Sequence, residues 1–127
     1  MNASARTIII TGAILAFIAV ALGAFGAHAM KTWLDTDLLA VYQTGVQIHL
    51  AHALGIILIG ILVQVLSPSK WLPIAGWIMT TGVIIFSGSL YALSLTGIRV
   101  LGAITPLGGV ALLVAWLLVA IGVAKSR

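Results

Sequence analysis

Four long apolar stretches, each free of charged residues, constrain the fold of this chain more than any other feature. They run from about 7 to 29, 45 to 66, 72 to 94 and 106 to 124. Each has about the 20 residues that a helix needs to cross the hydrocarbon core of a bilayer. Because lipid offers no hydrogen bonds to the backbone, such segments cross a membrane as helices. The sequence therefore predicts an all-α integral membrane protein, with four transmembrane helices in a compact bundle.

The composition supports this class and excludes others. Of the 127 residues, 62% are hydrophobic and only 6% are charged, whereas soluble domains carry roughly 25% charged residues. The net charge of +4 comes from dispersed basic residues, so nucleic acid is not expected as a partner. The chain has no cysteine, which excludes disulfides and thiol catalysis. One domain over residues 1–127 is the simplest organisation. The lipid bilayer is the expected partner, no cofactor is expected, and a homo-oligomer or a membrane-protein partner stays open.

The first apolar stretch also resembles a secretory signal peptide. Arg6 precedes it, and Ala27, His28 and Ala29 form a small-residue cleavage pattern. Its apolar length of about 20 residues exceeds the usual 7–15 of a signal peptide. We therefore expect a retained helix, with a cleaved signal as the alternative.

Charged residues between the helices predict the orientation. With four helices, both termini lie on the same side of the membrane. That side carries four basic residues, which are Arg6, Lys70, Lys125 and Arg127. The opposite side carries Lys31 and Arg99, together with the acidic residues Asp35 and Asp37. Since basic residues accumulate on the cytoplasmic side, we expect both termini to be cytoplasmic.

Small residues recur where the helices are expected to pack closely. In lipid, helix association depends on close packing and interhelical hydrogen bonds, which favour glycine and alanine at the contacts. The residues predicted to serve helix packing are Gly12, Gly23, Gly26, Ala27, Gly88, Gly108 and Gly109. On the opposite face of the first helix, Ile10, Ile14, Phe17 and Phe25 are expected to meet lipid.

Polar side chains gather in the half of the bundle away from the termini, here predicted to be the outer half. The candidate ligand-binding residues are His28, His49, His52, Ser87, Ser89, Tyr91 and Thr105. If the second crossing ends at Leu66, a 20-residue span begins near Gln47. A rise of 1.5 Å per residue then places His49 and His52 roughly 3–8 Å below the outer boundary.

Three interpretations of this polar cluster remain open. Imidazole groups suit a zinc, copper or haem iron site, but no cysteine or carboxylate within the spans completes a ligand set. The residues could instead line a pocket for a small molecule or a lipid headgroup. They could also form a hydrogen-bond network that only holds the helices together, each bond contributing about 0.6 kcal/mol.

The start of the fourth helix is a candidate anion site. Thr105 suits the N-cap and Pro106 the first helical position. Unpaired N–H groups at a helix start attract anions, and Arg99 could help to hold a lipid phosphate there. The alternative is an ordinary cap beside an exposed arginine.

No catalytic constellation is evident in the sequence. It contains no paired carboxylates within the spans, no nucleophile elbow and no phosphate-binding loop. A serine–histidine pair could be assembled from Ser87 or Ser89 with His52, but nothing specifies it. We therefore expect a protein that is not an enzyme.

Four sequence blocks resemble a known family. They are GAFGAHAMK (23–31), IHLAHALG (48–55), FSGSLYALSLTG (86–97) and LGAITPLGG (101–109). In this order they are similar to the signature blocks of domain of unknown function 423, small bacterial inner-membrane proteins related to eukaryotic transmembrane protein 256. The resemblance implies a multi-pass, four-helix protein of the bacterial plasma membrane. It implies no biochemical activity.

These observations favour a non-enzymatic membrane protein whose outer-half polar pocket binds a small molecule, a lipid or a partner helix. The alternative is a small transporter or channel, since four helices in about 110 residues is the size of small multidrug exporters. Those exporters use a carboxylate within the membrane, and no Asp or Glu lies in any span here. A histidine-ligated metal or haem protein is the third interpretation.

Overall fold

The computed structural model describes residues 1–126, and within them it is all-helical. The helices are α1 (Ala3–Trp33), α2 (Thr36–Val65), α3 (Trp71–Thr96) and α4 (Thr105–Ala124). A 3-10 helix, Arg99–Ala103, precedes α4. Four helices are long and apolar enough to cross a membrane, which confirms the predicted fold class. We call the end that carries the termini and the α2–α3 connection the terminal end, and the opposite end the distal end.

Helix α2 begins at Thr36, so the expected start near residue 45 is wrong. The side chain of Asp35 accepts a hydrogen bond from the backbone N–H of Leu38 at 2.8 Å and caps the helix. Asp37 lies in the first turn, where a negative charge is favoured by the helix dipole. A prediction from apolar residues alone places these two acids in a loop between helices, whereas they lie at the start of α2.

Helix α1 continues to Trp33 instead of ending near residue 29. Its segment Gly26–Met30 is π-helical. The ring of Tyr42 on α2 occupies the space where a Cβ at Gly26 would stand. The Tyr42 hydroxyl donates a hydrogen bond to the carbonyl of Leu22 at 2.5 Å, just before the π-helical segment. The absence of a side chain at Gly26 therefore lets α2 approach α1 closely.

Helices α2 and α3 form the centre of the bundle. Helix α1 packs mainly on α2, and α4 mainly on α3. The core cluster consists of Ile8, Ile56, Ile59, Ala75, Met79, Val83, Leu112 and Ala115. On α1, Ile10, Ile14, Phe17 and Phe25 are exposed, as expected for a lipid-facing surface.

Two glycines permit close helix contacts. A Cβ at Gly12 would lie 2.9 Å from the carbonyl oxygen of Ala53 on α2. A Cβ at Gly108 would lie 2.5 Å from the backbone nitrogen of Phe86 on α3. Backbone atoms cannot move aside without separating the helices, so these positions exclude even a methyl group.

Other small residues singled out for packing make looser contacts. A Cβ at Gly23 would meet Val46 at 3.2 Å, and one at Gly109 would meet the ring of Phe86 at 3.8 Å. Ala27 is exposed. Nothing lies within 4 Å of a Cβ built at Gly88, so the expectation that Gly88 serves helix packing is wrong. Gly88 instead borders an open space.

Helix α3 ends at Thr96 through a left-handed glycine. Gly97 has φ 72°, and its N–H donates to the carbonyl of Leu93 at 2.7 Å. Non-glycine residues are disfavoured in this conformation, and asparagine is disfavoured least. We expect Gly97→Ala to lower the free energy of unfolding by about 1 kcal/mol, and Gly97→Asn to lower it less. Thermal unfolding in detergent measures both changes, and equal stability of all three proteins would contradict the expectation.

Two interhelical hydrogen bonds show which residues of α2, α3 and α4 lie at the same level along the bundle axis. The Ser87 hydroxyl donates to the carbonyl of Gly45 at 2.7 Å, and the hydroxyls of Ser89 and Thr105 lie 2.6 Å apart. The start of α4 is therefore level with the turn of α2 just before Gly45. The 20 residues of α4 rise about 30 Å, the thickness of the hydrocarbon core.

On this scale the two histidines of α2 lie at different depths. His49 is about 9 Å below the distal end of α4, and His52 is about 14 Å below it, close to mid-depth. Measured from the start of α4, both depths exceed the expected range of 3–8 Å, which was counted from a span beginning near Gln47.

Candidate functional site

His49 lies at the base of a cleft between α1, α2 and α3. Its side chain is only 4% exposed. The Nδ1 atom lies 2.8 Å from the hydroxyl oxygen of Tyr91 on α3. The Nε2 atom is buried and makes no well-formed hydrogen bond among the described residues, although the imidazole also interacts with the backbone carbonyl of Leu15 on α1. A buried polar atom without a well-formed hydrogen bond is costly, by about 1–3 kcal/mol when it has no partner, so the state of Nε2 needs an explanation.

The hydrogen-bonding capacity of the pair indicates which role Nε2 has. A neutral imidazole carries one N–H donor and one acceptor nitrogen. If the Tyr91 hydroxyl donates to Nδ1, the Nε2–H of His49 is the single donor left over, with the Leu15 carbonyl outside good hydrogen-bond geometry. The reverse arrangement leaves both the tyrosine proton and the Nε2 lone pair unpaired. The first arrangement leaves fewer unpaired groups, so Nε2 is assigned as a donor.

The cleft that His49 lines has a volume of about 190 Å³. Its lining residues are Leu15, His49, Val83, Ile84, Ser87, Gly88 and Tyr91. Ile84 and Gly88 are exposed on the outer surface of α3, so the cleft opens sideways toward lipid. The absence of a side chain at Gly88 keeps this opening clear.

The sequence around His49 fixes its position. A Cβ at Gly45, one turn earlier on α2, would meet the Tyr91 ring at 2.9 Å. The glycine therefore leaves room for Tyr91 to reach His49 across the helix contact. The hydrogen bond from Ser87 to the Gly45 carbonyl holds α3 at this level, and the rings of Tyr42 and Tyr91 lie 5.6 Å apart on its distal side.

His52 lies outside this cleft and is fully hydrogen-bonded. Its Nε2 accepts a hydrogen bond from the indole N–H of Trp116 on α4 at 3.0 Å. Its Nδ1 lies 2.9 Å from the carbonyl of Ile48, which is satisfied when Nδ1 carries the proton. His52 therefore links α2 to α4.

Trp116 was not singled out from the sequence. An indole N–H in the middle of a transmembrane helix needs an acceptor. That requirement, together with a histidine at the same depth on another helix, is the signal that could have predicted the pair.

The remaining candidate residues are dispersed. His28 is exposed in the π-helical segment of α1. Ser89 contacts Thr105 and donates to the carbonyl of Phe86, and Arg99 is exposed. Within residues 1–126, no group of three His, Cys, Asp or Glu side chains could hold a metal ion. The three histidines thus do not converge, and neither Ser87 nor Ser89 pairs with His52.

The start of α4 differs from the expected cap. Ile104 is the N-cap residue and Thr105 is the first helical residue, so the assignment of Thr105 as N-cap is wrong. The N–H groups of Ile104 and Leu107 already donate to the carbonyls of Leu101 and Ile104 through the preceding 3-10 turn. Pro106 has no N–H. Few donors are left here for an anion.

Comparison with known proteins decides the family. Residues 22–109 match the family described as protein of unknown function, DUF423. The chain belongs to the DUF423 family. The UPF0382 membrane protein YwdK of Bacillus subtilis (strain 168) is 48% identical over 120 residues, which cover 94% of this chain and 98% of that protein. UPF0382 membrane proteins of Staphylococcus saprophyticus and Staphylococcus haemolyticus are 43% and 41% identical over 121 residues. These matches cover 94% of this chain and 98% and 97% of the two relatives. No solved structure matches.

Membership of DUF423 confirms the resemblance seen in the sequence. The relatives are named membrane proteins and come from Bacillus and Staphylococcus. Together with the four apolar helices, they confirm a multi-pass protein of the bacterial plasma membrane embedded in the lipid bilayer. The DUF423 description and the relatives' names indicate no enzymatic activity.

Proposed function

We propose that this protein is a non-enzymatic membrane protein that binds a neutral, lipid-soluble molecule through a carbonyl oxygen in the His49 cleft. The observation that supports the proposal is His49, whose side chain lines a cleft open to lipid and whose buried Nε2 atom makes no well-formed hydrogen bond within residues 1–126. An oxygen acceptor from the bilayer would satisfy this donor once the imidazole turns Nε2 from the Leu15 carbonyl toward the cleft.

The chemistry of the cleft defines the ligand class. Its walls are aliphatic or aromatic apart from His49, the Tyr91 hydroxyl and Ser87. The Ser87 hydroxyl already donates to the carbonyl of Gly45. No cationic side chain lines the cleft, so an anionic headgroup has no counter-charge. A volume of about 190 Å³ accepts only part of a ligand, such as a ring or an ester group, while the apolar remainder stays in the bilayer.

The lack of a catalytic arrangement supports a binding role. The hydroxyls of Ser87 and Ser89 donate to backbone carbonyls. A nucleophile activated by a base requires the two groups within hydrogen-bond reach. The transporter alternative gains no support, because His52 is fully hydrogen-bonded and neither of the two acids, Asp35 and Asp37, lines the cleft.

Histidine NMR tests the proposal in the full-length protein. Protein labelled with ¹⁵N-histidine is reconstituted in nanodiscs and titrated with decylubiquinone or with dioleoylglycerol. We expect at least one probe to shift the Nε2 resonance of His49, because a hydrogen bond forms there, and to leave His28 and His52 unchanged. The two probes separate a ring carbonyl from a lipid ester carbonyl.

Gly88→Leu is the matched blocking variant. A side chain at this position meets no neighbouring atom near its Cβ, so the fold should tolerate it while the leucine fills the cleft opening. We expect the shift of His49 to disappear in Gly88→Leu and to persist in His28→Gln. The proposal fails if neither probe shifts His49 in the wild type, or if the shift survives in Gly88→Leu.

A further inference from the structure

A second groove lies between α1 and α2 at the distal end, separate from the His49 cleft. It has a volume of about 400 Å³. Gly23 and Gly26 form part of its wall on α1, and Gln43 and Gln47 line it from α2. Lys31, beyond the π-helical segment, also lines it. We call it the Lys31 groove.

The polar groups of the Lys31 groove lack partners. Gln43 and Gln47 lie one helical turn apart, and both are exposed. Among residues 1–126, neither glutamine amide is hydrogen-bonded and Lys31 forms no ion pair. The nearby acid Asp35 is engaged with the N–H of Leu38. Unpaired amides next to hydrocarbon are costly, so a ligand that carries acceptor oxygens would stabilise these groups.

The depths of these groups follow the order of polar groups in a phospholipid. Taking the 20 residues of α4 as the span of the hydrocarbon core, Gln43 is level with its distal boundary. Gln47 lies about 6 Å deeper along α2. Lys31 lies on the distal side of both, in the headgroup region. A phosphate at Lys31 would therefore place the glycerol-ester carbonyls of the same lipid beside the two glutamine amides.

We infer that the Lys31 groove is a binding site for one phospholipid molecule. Lys31 binds the phosphate through a charge-assisted hydrogen bond. Gln43 and Gln47 donate to the ester carbonyls, and the acyl chains lie along the exposed surfaces of α1 and α2. The site shares no residue with the His49 cleft, so the two sites can be tested independently.

Native mass spectrometry of the full-length protein in detergent tests this inference, with dioleoylphosphatidylglycerol as the probe. We expect one bound lipid per chain. We expect the combined variant Lys31→Gln, Gln47→Leu to bind it at least about tenfold more weakly, since a charge-assisted and a neutral hydrogen bond are both lost. Both residues are exposed, so the variant should fold, as its unfolding temperature will show.

The controls decide between a built site and non-specific adsorption. Arg99→Gln removes an equal charge from an exposed position at the same end of the bundle and should leave lipid binding unchanged. In a Gly88→Leu background, which closes the His49 cleft, dioleoylglycerol, which lacks the phosphate, should bind more weakly, and inorganic phosphate alone should not displace the lipid. Equal losses in Arg99→Gln and the combined variant, or equal affinities for the two lipids, would overturn the inference. So would the absence of a bound lipid, or displacement by inorganic phosphate.

Discussion

Gly108→Ala is expected to lower the free energy of unfolding by about 3 kcal/mol, an effect at the upper end for overpacking a helix contact. The added methyl group would stand 2.5 Å from the backbone nitrogen of Phe86 and 2.9 Å from the carbonyl oxygen of Gly82. Because both atoms belong to the α3 backbone, no side-chain rotation relieves the overlap. Helix α4 must shift away from α3, and the surrounding core contacts weaken.

Gly109→Ala is the matched control for this prediction. The same change one residue later places the methyl group 3.8 Å from the ring of Phe86, an ordinary contact. Its stability should stay within about 1 kcal/mol of the wild type, since alanine also favours the helix more than glycine does. Equilibrium unfolding in mixed micelles measures both variants. Equal destabilisation by the two substitutions would show that helix propensity, and not the close approach at Gly108, determines the loss.

Tyr91→Phe should cost about 2 kcal/mol, because it removes the side-chain hydrogen bond of the buried His49 imidazole. The aromatic ring is retained, so the packing against Gly45 and Tyr42 changes little. In contrast, the double variant His49→Leu, Tyr91→Phe removes both polar groups together. Replacing two paired polar groups by apolar ones of similar shape is close to neutral, and here it also removes the poorly bonded Nε2 atom.

The double variant is therefore expected to be more stable than Tyr91→Phe alone and at least as stable as the wild type. Unfolding curves of the two variants and the wild type give the comparison directly. If the double variant is the less stable of the two, His49 contributes mainly through packing, and its Nε2 atom costs the fold nothing.

The number of transmembrane helices could be predicted from the sequence, because long apolar stretches can cross the hydrocarbon core only as helices that pair their own backbone groups. The helix ends could not, because they depend on individual polar contacts. Asp35 caps α2 through Leu38, and a count of apolar residues treats the same aspartate as a break. At the π-helical segment of α1, Tyr42 likewise contacts Gly26 and Leu22, a contact that joins residues far apart in the chain.

The candidate site was only partly predictable for a similar reason. Spacing along α2 predicted that His49 and His52 share one face, and depth favoured Ser87 and Tyr91 as companions. Which histidine meets which partner depends on the rotation and tilt of α3 and α4, which the sequence pattern does not specify. His49 faces Tyr91 while His52 faces Trp116. The seven candidate residues therefore separate into one cleft, two interhelical links (His52 with Trp116, and Ser89 with Thr105) and the isolated His28.

The packing order of the helices has a consequence for assembly. Helix α1 contacts mainly α2, α2 contacts α3, and α3 contacts α4, so neighbours in the chain are also neighbours in space. Each hairpin can form as soon as its second helix enters the bilayer, without waiting for a distant segment. Contacts of this local kind favour rapid folding. The chain can therefore assemble progressively during synthesis, with α4 closing the structure last.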